Sequence, residues 1–115
     1  MTIKIRNMQL TDIEAVAHVA IKSWHATYEG IIPQHIQNRF LAMAYSKEML
    51  KQRCEKTTVY VATEHENIIV FANFSNVKKD GEVELSAIYL LPEVWGKGIG
   101  SYLLAYGIEQ LSPSA

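Results

Sequence analysis

This chain of 115 residues has little cysteine, almost no net charge and no long apolar run. Each of these absences excludes a class of protein. Cys54 is the only cysteine, so neither a disulfide framework nor a cysteine-based zinc site is expected. The 11 basic and 12 acidic residues give a net charge of -1, which offers a nucleic acid no electrostatic attraction. No apolar run approaches the ~20 residues that cross a bilayer. We therefore expect no nucleic-acid, membrane or metal partner.

The N-terminal residues also lack a feature, the apolar core of a signal peptide. Residues 1–6 alternate between apolar and polar side chains instead, which is typical of a short half-buried strand. A cytoplasmic location is therefore expected. The length allows one domain, over residues 1–115, and a hydrophobic content of 49% is ordinary for a globular protein with a buried core.

Periodicity divides the chain into an α+β arrangement, with helices packed on a sheet, in the order β-α-α-β-β-β-α. The predicted strands cover residues 3–6, 57–63, 68–75 and 82–91. The predicted helical regions run from 13 to about 28–30, from 33 to about 56 (with a fresh helix start at Ser46) and, after the glycines, from 102 to 111. Asp80-Gly81 predicts a turn before the last strand, and Ser112-Pro113 ends the last helix. The unbroken apolar run from Ala87 to Leu91 predicts a central strand covered on both faces.

The motif Gly96-Lys97-Gly98-Ile99-Gly100 stands where this last strand gives way to a helix. A helix N-terminus presents unbonded N–H groups and a partial positive charge, and both attract phosphate oxygens. Glycines there let the backbone approach an anion closely, and Lys97 adds a mobile positive charge. The motif therefore predicts a site for the phosphates of a nucleotide-like cofactor.

Other glycine-rich loops fit this motif less well. A Walker loop needs Gly-Lys followed by Ser or Thr, and that register is missing here. A dinucleotide fingerprint needs a parallel βαβ unit and an acidic residue about 20 positions later, beyond the last residue of this chain. A tight turn without a ligand stays open on spacing alone.

Residues 82–104 resemble the acetyl-CoA-binding core of the GNAT N-acetyltransferases, whose pattern is Gln/Arg-x-x-Gly-x-Gly/Ala after an apolar strand and Pro-Glu. Gly98 and Gly100 take the two glycine places, whereas Trp95 departs from the pattern at the Gln/Arg place. Residues 23–33 resemble the junction between the first two helices of that family. In the family, this junction forms part of the wall of the acceptor site. The resemblance implies a GNAT-like mixed sheet with acetyl-CoA as co-substrate and no metal.

The resemblance also implies the residues that contact each ligand. The cofactor contacts are Ile88, Tyr89, Leu90, Trp95, Gly96, Lys97, Gly98, Ile99, Gly100 and Ser101. The acceptor contacts are Trp24 and Tyr28, with core packing as the alternative role for Trp24, which falls on an apolar helix face.

The implied activity is transfer of acetyl from acetyl-CoA to a primary amine of a small molecule or peptide. Glu84 takes the place of the glutamate that acts as general base in part of the family; a solvated strand carboxylate is the alternative. By strand alternation, Glu82 lies on the same face as Glu84. Two neighbouring carboxylates either raise the pKa of one of them or are simply solvent-exposed charges at the edge of the strand.

By the same resemblance, the family's domain includes a fifth strand, a fourth helix and a closing hairpin that no residue here matches. The tyrosine proposed to protonate the leaving thiolate belongs to that part. We therefore expect a partial GNAT domain whose last strand lacks one neighbour, and a homodimer that covers the open side. The alternative is a catalytically silent module that binds acetyl-CoA or serves assembly.

Overall fold

Four strands and four α-helices make up residues 2–76 and 82–111, the part of the chain that the structure, a computed structural model, describes. They are β1 Ile3–Asn7, α1 Ile13–Tyr28, α2 Gln34–Ala44, α3 Lys47–Lys56, β2 Thr58–Glu64, β3 Asn67–Phe74, β4 Leu85–Leu90 and α4 Ile99–Leu111. The predicted α+β order is confirmed, with α2 and α3 forming the second helical region. The predicted turn at 80–81 and helix stop at 112–113 lie outside the described residues.

The strands form one antiparallel sheet in the order β1-β2-β3-β4. Among residues 2–76 and 82–111, β4 lies at an edge of the sheet and pairs with β3 alone. The last strand therefore lacks one neighbour there, as expected, and does not take the central position that the apolar run from Ala87 to Leu91 predicts. Residues 87–90 are consequently half-buried rather than buried. The register between β3 and β4 shifts between Asn73 and Phe74, so β4 contains one extra residue at its beginning.

Local signals explain where the helices on one face begin and end. Gly30, at a φ of +77°, follows the last turn of α1, where Ile31 N donates to Tyr28 O at 3.0 Å. Ser46 begins α3 as predicted, since its Oγ accepts a hydrogen bond from Met49 N at 3.2 Å. The helices α1 and α3 that these signals bound contact the sheet, α1 at β3 and β4 and α3 at β2.

Two hydrophobic clusters lie on opposite faces of the sheet. The cluster shared with α1, α2 and α3 is centred on Val16, Val19, Leu50 and Phe71, and the cluster shared with α4 on Val70, Phe74, Ile99 and Leu103. On the α4 side, a Cβ atom at Gly107 would come within 2.4 Å of the Phe74 ring. Glycine at this position therefore allows α4 to lie directly on the sheet.

Within the described ranges, none of the helices has both the length and the apolarity that a bilayer crossing needs.

Candidate active site

The glycine motif forms a turn that ends at the N-terminus of α4. Gly96 and Gly98 have φ values of +79° and +78°, a region that side chains with a Cβ rarely adopt. Tyr102 N donates to Gly98 O at 3.0 Å, so the amides of residues 99–101 precede the first hydrogen bond of the helix. Together with the positive end of the helix dipole, these amides form an environment that suits an anion.

The third glycine sets how closely the helix approaches β4. A Cβ atom at Gly100 would lie 3.2 Å from a methyl carbon of Leu90, which is tighter than ordinary van der Waals contact. The N-terminus of α4 therefore lies directly beside the end of β4. Lys97 lies between the two and borders an open groove of about 480 Å³, together with Ile3 and Tyr102.

The outer edge of β4 presents backbone groups of alternate residues. Leu91 N donates to Ile69 O at 2.9 Å, and this bond identifies Leu90 and Val70 as a pair of the type that does not exchange hydrogen bonds. By alternation, the N–H and C=O groups of both Ile88 and Leu90 point away from β3. Among residues 2–76 and 82–111, no strand pairs with this edge.

Two predicted contact residues are placed differently from Ile88 and Leu90. Tyr89 pairs with Phe71 across the ladder, so its backbone groups point toward β3 and not toward the outer edge. A contact between Tyr89 and the cofactor would therefore involve groups other than those on the outer edge. Trp95 lies at the outer edge, where its indole Nε1 donates to Leu90 O at 3.1 Å and 45% of the residue is exposed.

Glu84 immediately precedes β4 and is exposed. Its backbone is fixed against β3 by two bonds: Ser75 N donates to Glu84 O at 2.8 Å, and Glu84 N donates to Ser75 Oγ at 2.9 Å. The six residues of β4 span about 20 Å, so Glu84 and the glycine turn lie at opposite ends of the strand. Glu82 also precedes β4, and the predicted sharing of one strand face does not apply to it.

Trp24 lies half-buried between α1 and β4, in a cluster of aromatic rings. Its indole Nε1 donates to Tyr89 Oη at 3.0 Å, and its ring stacks on Phe40 with centroids 4.4 Å apart. Tyr45 Oη also donates to Tyr89 Oη, at 3.3 Å. Burial, and then the bond to Tyr89, raise the pKa of Tyr45, so this hydroxyl keeps its proton and remains a donor. Trp24 therefore packs against the strand that presents the outer edge.

Sequence reasoning missed Tyr45 and Phe40, because nothing in their spacing links them to a tryptophan on α1 or a tyrosine on β4. Tyr28, the other predicted acceptor contact, lies on the flank of this cluster, with its ring centroid 4.5 Å from that of Trp24. The structure thus brings Trp24, Tyr28 and Tyr89 together and leaves Glu84 at a distance along β4.

The α1–α2 junction borders a groove of about 660 Å³. Pro92 lines it together with polar residues of α1, of the junction itself and of α2: Lys22, His25, Glu29 and Gln37. Gln37, which sequence reasoning also missed, is buried and donates through Nε2 to Ile32 O at 2.8 Å and to Tyr28 O at 3.3 Å. This buried amide holds the shape of the junction.

The described residues contain no group of three or more His, Cys, Asp and Glu side chains arranged to hold a metal ion.

Comparison with known proteins gives the following matches. A family model described as the acetyltransferase (GNAT) family matches residues 19–113. The chain is 34% identical over 112 residues to the uncharacterized N-acetyltransferase YuaI of Bacillus subtilis, covering 95% of this chain and 64% of that protein. It is 30% identical over 113 residues to the spermidine N(1)-acetyltransferase of Thermoplasma acidophilum, covering 90% and 67%. The chain thus spans roughly two thirds of the length of these relatives.

Solved structures agree with the sequence matches. The PaiA N-acetyltransferase of Thermoplasma acidophilum, in complex with coenzyme A, superposes with a TM-score of 0.90 at 28% identity, covering 96% of this chain and 72% of that one. The ribosomal-protein-S18-alanine N-acetyltransferase of Escherichia coli superposes with a TM-score of 0.70 at 20% identity, covering 96% and 59%. The second match is a likeness of fold alone.

Proposed function

The chain belongs to the acetyltransferase (GNAT) family, and from this we propose that it moves the acetyl group of acetyl-CoA to a primary amine of a small molecule or peptide. One observation carries the proposal. The outward backbone groups of Ile88 and Leu90 lead along β4 directly into the glycine turn and the N-terminus of α4. An extended ligand that has amide groups at one end and phosphates at the other would match these two adjacent sites, the edge of β4 and the glycine turn.

The residues of both sites, the glycine turn and the edge of β4, fit acetyl-CoA. The glycine turn and the amides of residues 99–101 suit the pyrophosphate, with Lys97 as a nearby cation and the remaining turn residues, Trp95 to Ser101, as its surroundings. The open edge at Ile88 and Leu90 suits the amides of the pantetheine arm, which pair with it as an added strand does. We assign acetyl-CoA to these residues.

In the proposed reaction, the acceptor nitrogen forms a bond to the acetyl carbon while the bond between that carbon and the thiol sulfur breaks. The amine loses a proton and the CoA thiolate gains one. We assign the proton from the amine to Glu84, directly or through water. The placement of Glu84 supports this role, because an arm that runs along β4 from the glycine turn carries its reactive end toward the start of the strand.

The acceptor is proposed to bind on the α1–α2 side of β4. Trp24 and Tyr28 lie there, and the adjacent groove is lined by both Glu29 and Lys22; of these two, Glu29 is the residue that we expect to attract a cationic amine. A relative acts on spermidine, so polyamines belong in the acceptor panel beside amino sugars, simple amines and peptide N-termini.

We further propose that residues 1–115 form one domain, located in the cytoplasm, and that the chain acts as a homodimer. The support for the dimer is the apolar side of α2, where Ile36, Phe40 and Met43 are 46%, 38% and 69% exposed. Light scattering at micromolar concentration should give the mass of two chains. A monomer would overturn the dimer and leave the other assignments standing.

The test of the activity combines calorimetry with acetyl-CoA and a turnover assay over the amine panel. Glu84→Gln should lower kcat by about 10²–10⁴-fold and leave acetyl-CoA affinity unchanged, because only the proton acceptor is removed. Glu109→Gln, an exposed carboxylate on α4, is the matched control. Binding of acetyl-CoA without turnover of any amine would indicate the alternative function, a catalytically silent module. The observation that favours this alternative is Trp95 at the Gln/Arg place of the family pattern. Absence of binding would contradict both functions.

A further inference from the structure

Trp95 occupies the one backbone acceptor that lies closest to the glycine turn on the open edge of β4. Its indole Nε1 donates to Leu90 O at 3.1 Å, and the carbonyl points away from β3. Resting on the proposed function, we infer that the indole is a placeholder for the cofactor arm. In this inference an amide of acetyl-CoA takes the Leu90 carbonyl and displaces Trp95, so that the tryptophan weakens cofactor binding.

The local backbone explains how residue 95 reaches back to residue 90. After β4, residues Pro92–Val94 form one 3-10 turn, and Trp95 N donates to Pro92 O at 3.2 Å. The turn reverses the chain, so the side chain of Trp95 lies over the end of the strand that precedes it. The fixed φ of Pro92 favours this turn at its first position. The contact is therefore built into the chain immediately before the glycines.

The contact also has the properties of one that a ligand can replace. An indole N–H is a donor only, as is the amide N–H of a ligand, so the two compete for the same acceptor. Leu90 O has a second lone pair, but the indole ring beside it occupies the edge along which an added strand must run. Because 45% of Trp95 is exposed, much of the ring is already in water, and the hydrogen bond that its displacement breaks is a partly solvated one.

The opposite reading is that Trp95 contacts the bound cofactor and strengthens binding, as its place in the family pattern suggests. The two readings predict opposite signs for one substitution. Trp95→Phe keeps an aromatic ring and removes the N–H. If the indole is a placeholder, the variant should bind coenzyme A about 2- to 10-fold more tightly, the affinity equivalent of one ordinary hydrogen bond that no longer has to be displaced.

The experiment is calorimetric titration of the wild-type chain and Trp95→Phe with coenzyme A, with circular dichroism to verify that the variant folds. Tighter binding by Trp95→Phe supports the placeholder. Equal or weaker binding by the variant overturns it and leaves the proposed function intact. Absence of binding by both chains overturns the placeholder and the proposed function together.

A second measurement follows the indole itself. Trp24 and Trp95 are the only tryptophans, so Trp24→Phe leaves Trp95 as the sole indole. We expect saturating coenzyme A to shift the indole N–H proton resonance of Trp95 and to raise its rate of exchange with solvent, since the bond to Leu90 is lost. An indole N–H with unchanged shift and exchange in the complex would overturn the displacement.

Discussion

β3 and β4 are neighbouring strands with similarly apolar sequences, yet they differ in burial. Seven of the eight residues of β3 are buried, whereas none of the six residues of β4 is. β3 has a strand on each side and helices on both faces, whereas β4 has a strand on one side only within the part of the chain that the structure describes. The difference shows that burial of a strand depends on its neighbours as much as on its own side chains.

The same difference separates stability from binding. From Val70 to Phe74, β3 pairs with β2 on one side and β4 on the other, so the backbone groups of these residues are used within the sheet. β4 has the outward groups of Ile88 and Leu90, and one of them already bonds to a side chain, Trp95. We expect substitutions in β3 to change the free energy of unfolding, and substitutions on the outer edge of β4 to change ligand binding.

The largest expected effect belongs to the β3 core. Phe71 is 1% exposed and packs against Tyr45 and Tyr89, so Phe71→Ala should lower the free energy of unfolding by about 3–5 kcal/mol. Ile88→Ala on half-buried β4 should cost only about 1–2 kcal/mol, because less apolar surface returns to water. Urea denaturation, with unchanged slopes, measures both.

The pair of substitutions also tests whether β4 is covered in solution. If a second copy lies on this edge, Ile88→Ala will cost as much as Phe71→Ala, and its effect will depend on protein concentration. Equal costs that do not vary with concentration would contradict the comparison of the two strands itself.

The amino-acid sequence predicts most of this fold because its signals are local. Ser46 begins a helix and Gly30 ends one, for reasons contained within a few residues of each. The glycine turn is equally local. The edge position of β4 is not a local property. An unbroken apolar run fits any strand whose side chains are covered by neighbouring elements, and which elements cover it depends on the arrangement of the whole sheet.

The candidate site divides in the same way. The turn at Gly98 follows from its own residues, whereas the bond from Trp24 to Tyr89 joins positions 65 apart, and no periodicity relates them. The bond from Trp95 to Leu90 spans five positions, but its existence depends on which carbonyls of β4 face outward. That direction follows from the register with β3, which a single sequence does not reveal.

The opposite edge of the sheet, β1, is stabilised by a partly buried ion pair. Arg6 on β1 donates to both carboxylate oxygens of Asp12, at 2.6 and 3.0 Å, and Gln9 N donates to the same carboxylate at 2.8 Å. Asp12→Asn should lower the free energy of unfolding at pH 7 by about 1–2 kcal/mol. This is the low end for bonds to charged groups, since the Arg6 side chain is 42% exposed.

The pH dependence of this effect has a definite sign. The hydrogen bonds from Arg6 lower the pKa of Asp12, with burial opposing them. The stabilisation is therefore fully present above the unfolded pKa of about 3.9 and is lost as the pH falls through the lower folded value. Urea midpoints of wild type and Asp12→Asn should converge toward low pH. A constant difference between them from pH 7 down to the acid transition would contradict this assignment.

The smallest expected effect is at Tyr89, where β4 contacts the helices. Tyr89→Phe removes the hydroxyl oxygen that accepts from Trp24 and Tyr45 while the ring stays in place. We expect a loss of about 1 kcal/mol, because two partly buried donors lose their acceptor but retain some access to water. Tyr102→Phe, at an exposed tyrosine of α4, is the control and should change stability by less than about 0.5 kcal/mol.

A double-mutant cycle with Trp24→Phe isolates the bond, and a coupling energy near zero would mean that Trp24 and Tyr89 contribute through packing alone. A measurable coupling has a consequence beyond stability. Tyr89 lies between Ile88 and Leu90, so the bond that holds its side chain to α1 also fixes the outward backbone groups on either side of it. The edge of β4 is then rigid because its inward side chain is anchored, which allows a half-buried strand to serve as a binding surface.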